Sequence, residues 1–282
     1  MGYVFNFKDA QAYSRWVSIQ RNHWAAELEN TLMLNLLKPT RGESILNIGC
    51  GTGASTLPLL NLGLNVTGID PSPYMLDIAQ STLGGRVDLY RGFAEDLPFD
   101  DNSFNHAFFF ISLEFVDDPA KALEEACRVA KDKVFIGFIN RFALKGLQLR
   151  VKGLFSQSIY NHARFFSVWG LKNIAYQIAG PIPMVWRTVC QLPMNPGRMI
   201  KSLEQSDFVQ RCPFGTFAGI VLTLVPRVRT RPLAIRHSQG RGRGLVVGSA
   251  GVHSVWLGPR SKETGRSQSP AAAEVGAVTT KP

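Results

Sequence analysis

A chain of 282 residues with 45% hydrophobic residues has the length and apolar content for one large globular domain plus an appendage. No apolar run approaches the roughly 20 residues that cross a bilayer, and the opening Met1-Gly2-Tyr3-Val4-Phe5-Asn6 has neither the basic flank nor the apolar stretch of a secretory signal, so a cytoplasmic location is expected. Of the formal charge of +10, +7 falls in residues 228–282, which hold nine Lys or Arg and two Glu, and the scattered Cys50, Cys127, Cys190 and Cys212 argue against a disulfide framework or a zinc site.

In chain order, residues 1–40 read as helices, with Leu28, Leu32, Leu36 and Leu37 at helical spacing and Pro39 and Gly42 ending the run. Short apolar strands then alternate with amphipathic helices. The strands are Ser44–Ile48, Asn65–Ile69, Val87–Tyr90, Ala107–Ile111 and Lys133–Ile139. The helices are Ala54–Leu62, Tyr74–Thr82 and Ala120–Ala130. Such alternation predicts a mostly parallel sheet with right-handed crossovers and helices on both faces.

Between Asp132 and Glu204 there is no acidic residue, yet ten basic ones stand among many aromatics. This stretch reads as a helical cap (about 141–200) with a strand at Val185–Leu192, and Phe217–Val225 as a last strand. The expected domain runs from 41 to 227. Residues 228–282, rich in Gly, Ser, Pro and Arg without periodicity, read as a disordered tail.

Asn47-Ile48-Gly49-Cys50-Gly51-Thr52-Gly53 carries a strand into a glycine turn and then a helix. Glycines suit a tight turn that a ligand approaches closely, and the amides at the helix start favour an electron-rich group. Asp70 ends the next strand about 20 residues on, where a carboxylate accepts hydrogen bonds from ribose hydroxyls. These features indicate a nucleotide site without choosing the nucleotide, because Gly49, Gly51 and Ala54 also satisfy the dinucleotide pattern G-x-G-x-x-G/A.

The run from Asn47 to Gly53 resembles motif I of class I S-adenosylmethionine (SAM) dependent methyltransferases, and three further segments follow in that family's order. They are Gly68-Ile69-Asp70-Pro71-Ser72-Pro73-Tyr74-Met75-Leu76, then Ala94-Glu95-Asp96-Leu97-Pro98-Phe99 with Asn102-Ser103-Phe104, then Phe115–Pro119 leading into Leu123–Val129. The similarity covers roughly residues 40 to 140 and is nearest the small-molecule branch that includes quinone-biosynthesis methyltransferases. It implies a Rossmann-like α/β fold with a mostly parallel seven-stranded sheet. Its cofactor is SAM, with Gly49 and Gly51 beneath the methionine part, Gly53 completing the glycine turn that binds it, and Asp70 on the ribose. Met75, Ala94 and Glu95 would meet the adenine, and Phe110 the sulfonium. Two positions depart from the family. Asn47 replaces the usual acid for the SAM amino group, leaving a hydrogen bond without charge assistance. Phe93 stands where Asp is common.

Methyl transfer from a sulfonium needs alignment and exclusion of water, and a base only if the acceptor must lose a proton. Glu114, just beyond the fourth strand, is the candidate base, with His162 and Tyr160 in the basic segment as further candidates. A basic, aromatic cap predicts a small-molecule acceptor that is anionic or membrane-derived, such as a lipid or quinone precursor, reached by peripheral membrane contact. Three other readings remain: a dinucleotide-dependent oxidoreductase, a SAM-binding protein without catalysis, and an RNA methyltransferase using Gly240-Arg241-Gly242-Arg243-Gly244. No recognisable RNA-binding module accompanies that tail, so a nucleic-acid partner is not the expectation.

Overall fold

The chain folds around one seven-stranded sheet, and the computed structural model describes residues 2–18, 20–143, 162–190, 204 and 206–224. Helices α1 (Phe7–Ser18) and α2 (Gln20–Leu37) precede β1 (Ser44–Ile48). A 3-10 turn (Ala54–Thr56) and α3 (Leu57–Asn61) lead to β2 (Asn65–Asp70), α4 (Pro73–Leu83), β3 (Asp88–Arg91) and β4 (Phe104–Phe110). A second 3-10 turn (Leu113–Phe115) is followed by α5 (Pro119–Val129), β5 (Ala130–Ile139), α6 (Val168–Ala179), β6 (Met184–Val189), α7 (Asp207–Gln210) and β7 (Phe217–Thr223). The spatial order is β3-β2-β1-β4-β5-β7-β6, with β7 antiparallel to both neighbours and the other adjacent pairs parallel.

Alternation along the strands divides the interior into two cores. In β4, Ala107 and Phe109 join one core while Phe108 joins the other; in β5, Val134 and Ile136 oppose Phe135 in the same way. Helices α5 and α6 cover the first core through Leu123, Ala126, Val168 and Leu171, whereas α2 and α4 cover the second through Leu28, Leu32, Ala79 and Leu83. Burial on both faces is why these strands are almost continuously apolar. Each of the fully buried Phe side chains at 108, 109, 135 and 138 contributes roughly 1.5–3 kcal/mol by leaving water. The edge strand β3, Asp88-Leu89-Tyr90-Arg91, is short and largely exposed, as an unpaired edge requires.

Two local differences from the expected elements have physical causes. The helix expected over Ala54–Leu62 is a 3-10 turn and then a short α-helix with Pro58 in its first turn, where a missing N–H costs nothing. Strand β4 starts at Phe104 rather than Ala107. Its polar residues there are paired, Asn105 with Ser44 and Asp132, His106 with Glu43. Of the expected cap, 144–161 and 191–203 lie outside the described residues. The described part holds α6, which packs beside α5, and β6 (Met184–Val189), where a strand was expected over Val185–Leu192. The tail from 228 also lies outside them.

Candidate active site

Strand order reverses between β1 and β4, and a cavity of about 210 Å³ opens there at the C-terminal ends of β1, β2 and β4. Open α/β sheets bind ligands at this place because adjacent loops diverge to opposite faces. Gly49, Gly51, Asp70, Met75, Ala94, Glu95 and Phe110 all line it, together with Phe93.

The glycine turn is shaped by two separate demands. At Gly49 a Cβ would collide with Ser112, whose hydroxyl donates to the carbonyl of Ile48 at 2.6 Å and ties the β1 and β4 exits together. Gly51 sits at φ +53° on the cavity wall, and a Cβ there would meet nothing within 4 Å. Its bare backbone faces open space of the kind a ligand fills. Gly53 is not among the residues of the wall; it sits at φ +79°, and a Cβ there would press into the Leu83 side chain of α4.

Asp70 is 7% exposed, and its two oxygens accept from the backbone N–H of Gly51 and of Ser72, each at 2.9 Å. The carboxylate thus joins the glycine turn to the start of α4, and burial raises its pKa against the pull of those two amides. Ser72 caps α4 by accepting from Met75 N–H, which holds Met75 on the cavity wall. Glu95 lines the cavity while one carboxylate oxygen accepts from the N–H groups of Asp117 and Asp118, just before α5. The neighbouring loop is fixed by Arg128, whose guanidinium bonds Glu125, Asp101 and the carbonyls of Leu97 and Phe99. Two segments distant in sequence, 97–101 and 125–128, are therefore bonded to each other just behind the wall residues Ala94 and Glu95.

Asn47 is fully buried and off the cavity wall. Its Nδ2 donates to Thr56 Oγ1 at 2.9 Å and Ser55 Oγ at 3.3 Å, and its Oδ1 is buried without a hydrogen-bond partner. Burial pushes the thiol of Cys50 up, far from the thiolate form a nucleophile needs.

Glu114 and His162 come together, but beside this cavity rather than in it. They line a neighbouring, more open pocket with Asp117 and Arg164, and Gly2, Tyr3, Val4, Phe115 and Val116 line both spaces. Glu114 is 2% exposed. Its Oε1 accepts from Ile139 N–H at 2.8 Å, its Oε2 has no partner, and burial pushes its carboxyl up to about 7. The His162 ring stacks on Tyr3 with centroids 4.2 Å apart. Tyr160 lies outside the described residues.

The remaining wall comes from the N-terminus. Tyr13 and Val17 of α1, and Ala25, Ala26, Glu29 and Asn30 of α2, line the cavity with Phe5 and Phe115. Sequence reasoning missed them because Leu28, Leu32 and Leu37 mark the buried stripe of α2, and the small-and-polar face between them reads as solvent-exposed. No Lys, Arg or His lines the cavity among the described residues. At the opposite end of the sheet, Glu43, His106 and Asp132 hold ligand-type atoms within 4.8 Å of one another, with Glu43 and Asp132 already bonded to Thr40 and Asn105.

Residues 46–137 match the family model described as a methyltransferase domain. An uncharacterized methyltransferase of Mycobacterium tuberculosis is 36% identical over 106 residues, covering 38% of this chain and 43% of that protein. A demethylmenaquinone methyltransferase of Tropheryma whipplei is 37% identical over 133 residues, 45% of this chain and 53% of that one. The match thus spans about half, or less, of these relatives' length. Among solved structures, a SAM-dependent methyltransferase of Thermotoga maritima, described as a possible histamine N-methyltransferase, superposes with TM-score 0.60 at 26% identity. It covers 77% of this chain and 96% of that one.

Proposed function

Taking the chain as a carrier of the class I SAM-dependent methyltransferase domain, on its matched segment, its relatives and its strand order, we propose that it transfers the methyl group of SAM to a small, apolar acceptor. The observation that carries this is the cavity at the strand-order reversal, lined at once by Gly51, Asp70 and Met75. Two features support the fit to SAM: the open space over Gly51, and a described wall with three carboxylates (Glu29, Asp70, Glu95) and no cation, for a cofactor with net positive charge.

When bound, SAM supplies a methyl group already activated on a sulfonium. The chain's own residues then bind, orient and exclude water. Asp70 accepts from ribose hydroxyls, each oxygen retaining a lone pair beyond its backbone bond. Met75, Phe93 and Ala94 offer apolar surface to the adenine, and Phe5, Tyr13, Phe110 and Phe115 give the acceptor aromatic walls.

The acid-free stretch 133–203 favours an anionic acceptor, but its described part lends no residue to the cavity, and the described wall bears only negative charge. A neutral acceptor with an ionisable hydroxyl, of the quinol or phenol type, suits that wall better. The demethylmenaquinone methyltransferases among the relatives are in keeping with it. Glu114 is the proton acceptor for such a hydroxyl, acting from behind the N-terminal segment. Tyr13 lines the cavity, its phenol pushed up to about 12 by burial and by the charges of Glu29, Glu114 and Asp70.

Calorimetric titration with SAM, S-adenosylhomocysteine and NAD tests the cofactor, and methyl transfer to a panel of quinols and phenols tests the acceptor. We expect micromolar binding of the SAM pair alone, weakened at least tenfold in Asp70→Ala, whose loss removes about 1.4 kcal/mol or more. Binding of NAD alone would overturn the reading.

A further inference from the structure

Just beyond β5, at the end of the sheet where the cavity opens, the buried side chain of Asn140 ties two loops together. Its Nδ2 donates to the carbonyls of Pro213 at 2.6 Å and Gly215 at 3.1 Å, and its Oδ1 accepts from Phe142 N–H at 3.2 Å. Arg141 N–H bonds the carbonyl of Phe166 at 2.8 Å, two residues before α6. Arg164 N–H bonds the carbonyl of Glu114 at 2.7 Å, next to the wall residue Phe115. The residues fixed in this way carry large apolar side chains into water. Phe142, Phe214 and Trp169, the last in the first turn of α6, are 52%, 60% and 56% exposed.

Cations accompany these rings. The Phe142 and Trp169 rings meet edge to face with centroids 6.0 Å apart, and the Arg141 guanidinium lies 5.9 Å from the Phe142 centroid. Arg164 is exposed two residues before Phe166, and Lys172 follows Trp169 at the i+3 position of α6. Among the described residues, no ion pair holds Arg141, Arg164 or Lys172. All of these residues except Phe214 belong to the stretch 133–203, which has ten Lys or Arg and no acid.

Aromatic rings beside Lys and Arg suit the boundary of a lipid bilayer, where the rings enter the acyl region and the cations meet phosphate. A second copy of the chain suits this face less well, because a two-fold interface would bring the same cations of each copy together. We propose that the face formed by Phe142, Trp169 and Phe214 with Arg141, Arg164 and Lys172 docks on the surface of an anionic lipid bilayer. Docking would hold the cavity end of the sheet near the membrane, where a quinol-type acceptor dissolves. That consequence rests on the methyltransferase reading; the docking does not, and its test uses no cofactor.

The test is co-sedimentation of the full chain with vesicles of phosphatidylcholine and phosphatidylglycerol in equal parts, and with vesicles of phosphatidylcholine alone. Residues 228–282 carry +7 and attract anionic vesicles in every variant alike, so the comparison is made within the full chain. The unaltered chain should bind the mixed vesicles roughly tenfold or more tightly than the neutral ones. The triple variant Phe142→Ser, Trp169→Ser, Phe214→Ser should lose roughly tenfold or more of that binding, with its melting temperature kept because all three side chains are exposed. Undiminished binding by the triple variant would overturn the proposal and assign the attraction to the tail. Failure to bind the mixed vesicles, or equal binding to the neutral ones, would overturn it too. A second measurement needs one conservative substitution: vesicles brominated on their acyl chains should quench part of the Trp emission of the bound chain, and Trp169→Phe should lose that part while staying bound. Identical quenching in the two would place Trp169 outside the bilayer and overturn the docking. Self-association of the unaltered chain that the triple variant abolishes would give the face to a second copy instead.

Discussion

Glu114 shows how a single residue's surroundings set its chemistry. Its carboxyl is buried with one oxygen on the Ile139 amide and the other unpartnered, and burial lifts its pKa to about 7. Because the folded chain holds this proton more tightly than the unfolded chain does, the stabilisation is complete below the ordinary carboxylate value and is lost as pH rises to about 7. The loss from this one group is about 3 kcal/mol. Melting temperatures at pH 5 and pH 8 check this: the unaltered chain should fall more between the two than Glu114→Gln. If Glu114 is the proton acceptor proposed above, methyl transfer to a hydroxyl acceptor should rise with pH through about 7. In Glu114→Gln that rise should flatten; an unchanged profile would remove Glu114 from the reaction.

At the scale of elements, the N-terminal segment decides what the cavity is. Backbone from Gly2 to Phe5 is pinned at both ends of the opening, by Tyr3 N–H on the carbonyl of Phe115 at 2.9 Å and by the Ser72 hydroxyl on the carbonyl of Phe5 at 2.6 Å. Rings of Phe5, Tyr3 and Phe115 pack edge-on or tilted beneath it. At Gly2 a Cβ would stand 2.7 Å from the carbonyl oxygen of Phe115 and 2.9 Å from the amide nitrogen of Asp117, both backbone atoms that cannot swing aside. Gly2→Ala should therefore lift the segment and speed release of S-adenosylhomocysteine several-fold, read by stopped-flow fluorescence, with the melting temperature unchanged because no core residue moves. Equal release rates would mean that the segment does not bar the cavity.

The parallel strands, by contrast, were legible in place and order, with bounds that shift by up to three residues. Ser44–Ile48, the acid at Asp70 and the segment Ala94–Phe99 stand where their patterns place them, since strand periodicity and turn chemistry are local properties. Direction and docking were not legible. That Asn47 turns to Thr56, that Gly53 lies against Leu83 and that Glu114 lies behind the N-terminal segment depend on partners from elsewhere in the chain.

For the whole molecule, charge is the distinguishing property. Residues 228–282 carry +7 of the total +10, so residues 1–227 carry only +3. The cavity within them is negative on its described wall. Removing 228–282 should leave the affinity for S-adenosylhomocysteine within twofold and abolish salt-sensitive retention on heparin, which follows the count of released counterions. A large loss of cofactor affinity would show that the tail takes part in the site.

The amino-acid sequence by itself determined the sheet, the place of the glycine turn and the acid that follows it, because alternation, glycine spacing and strand length act through neighbours a few residues apart. The tertiary structure alone decided the wall contributed by α1 and α2, the exclusion of Asn47 from the cavity and the separation of Glu114 from it. Those depend on which face of a helix docks against a distant strand, and that choice is made by packing across the whole fold.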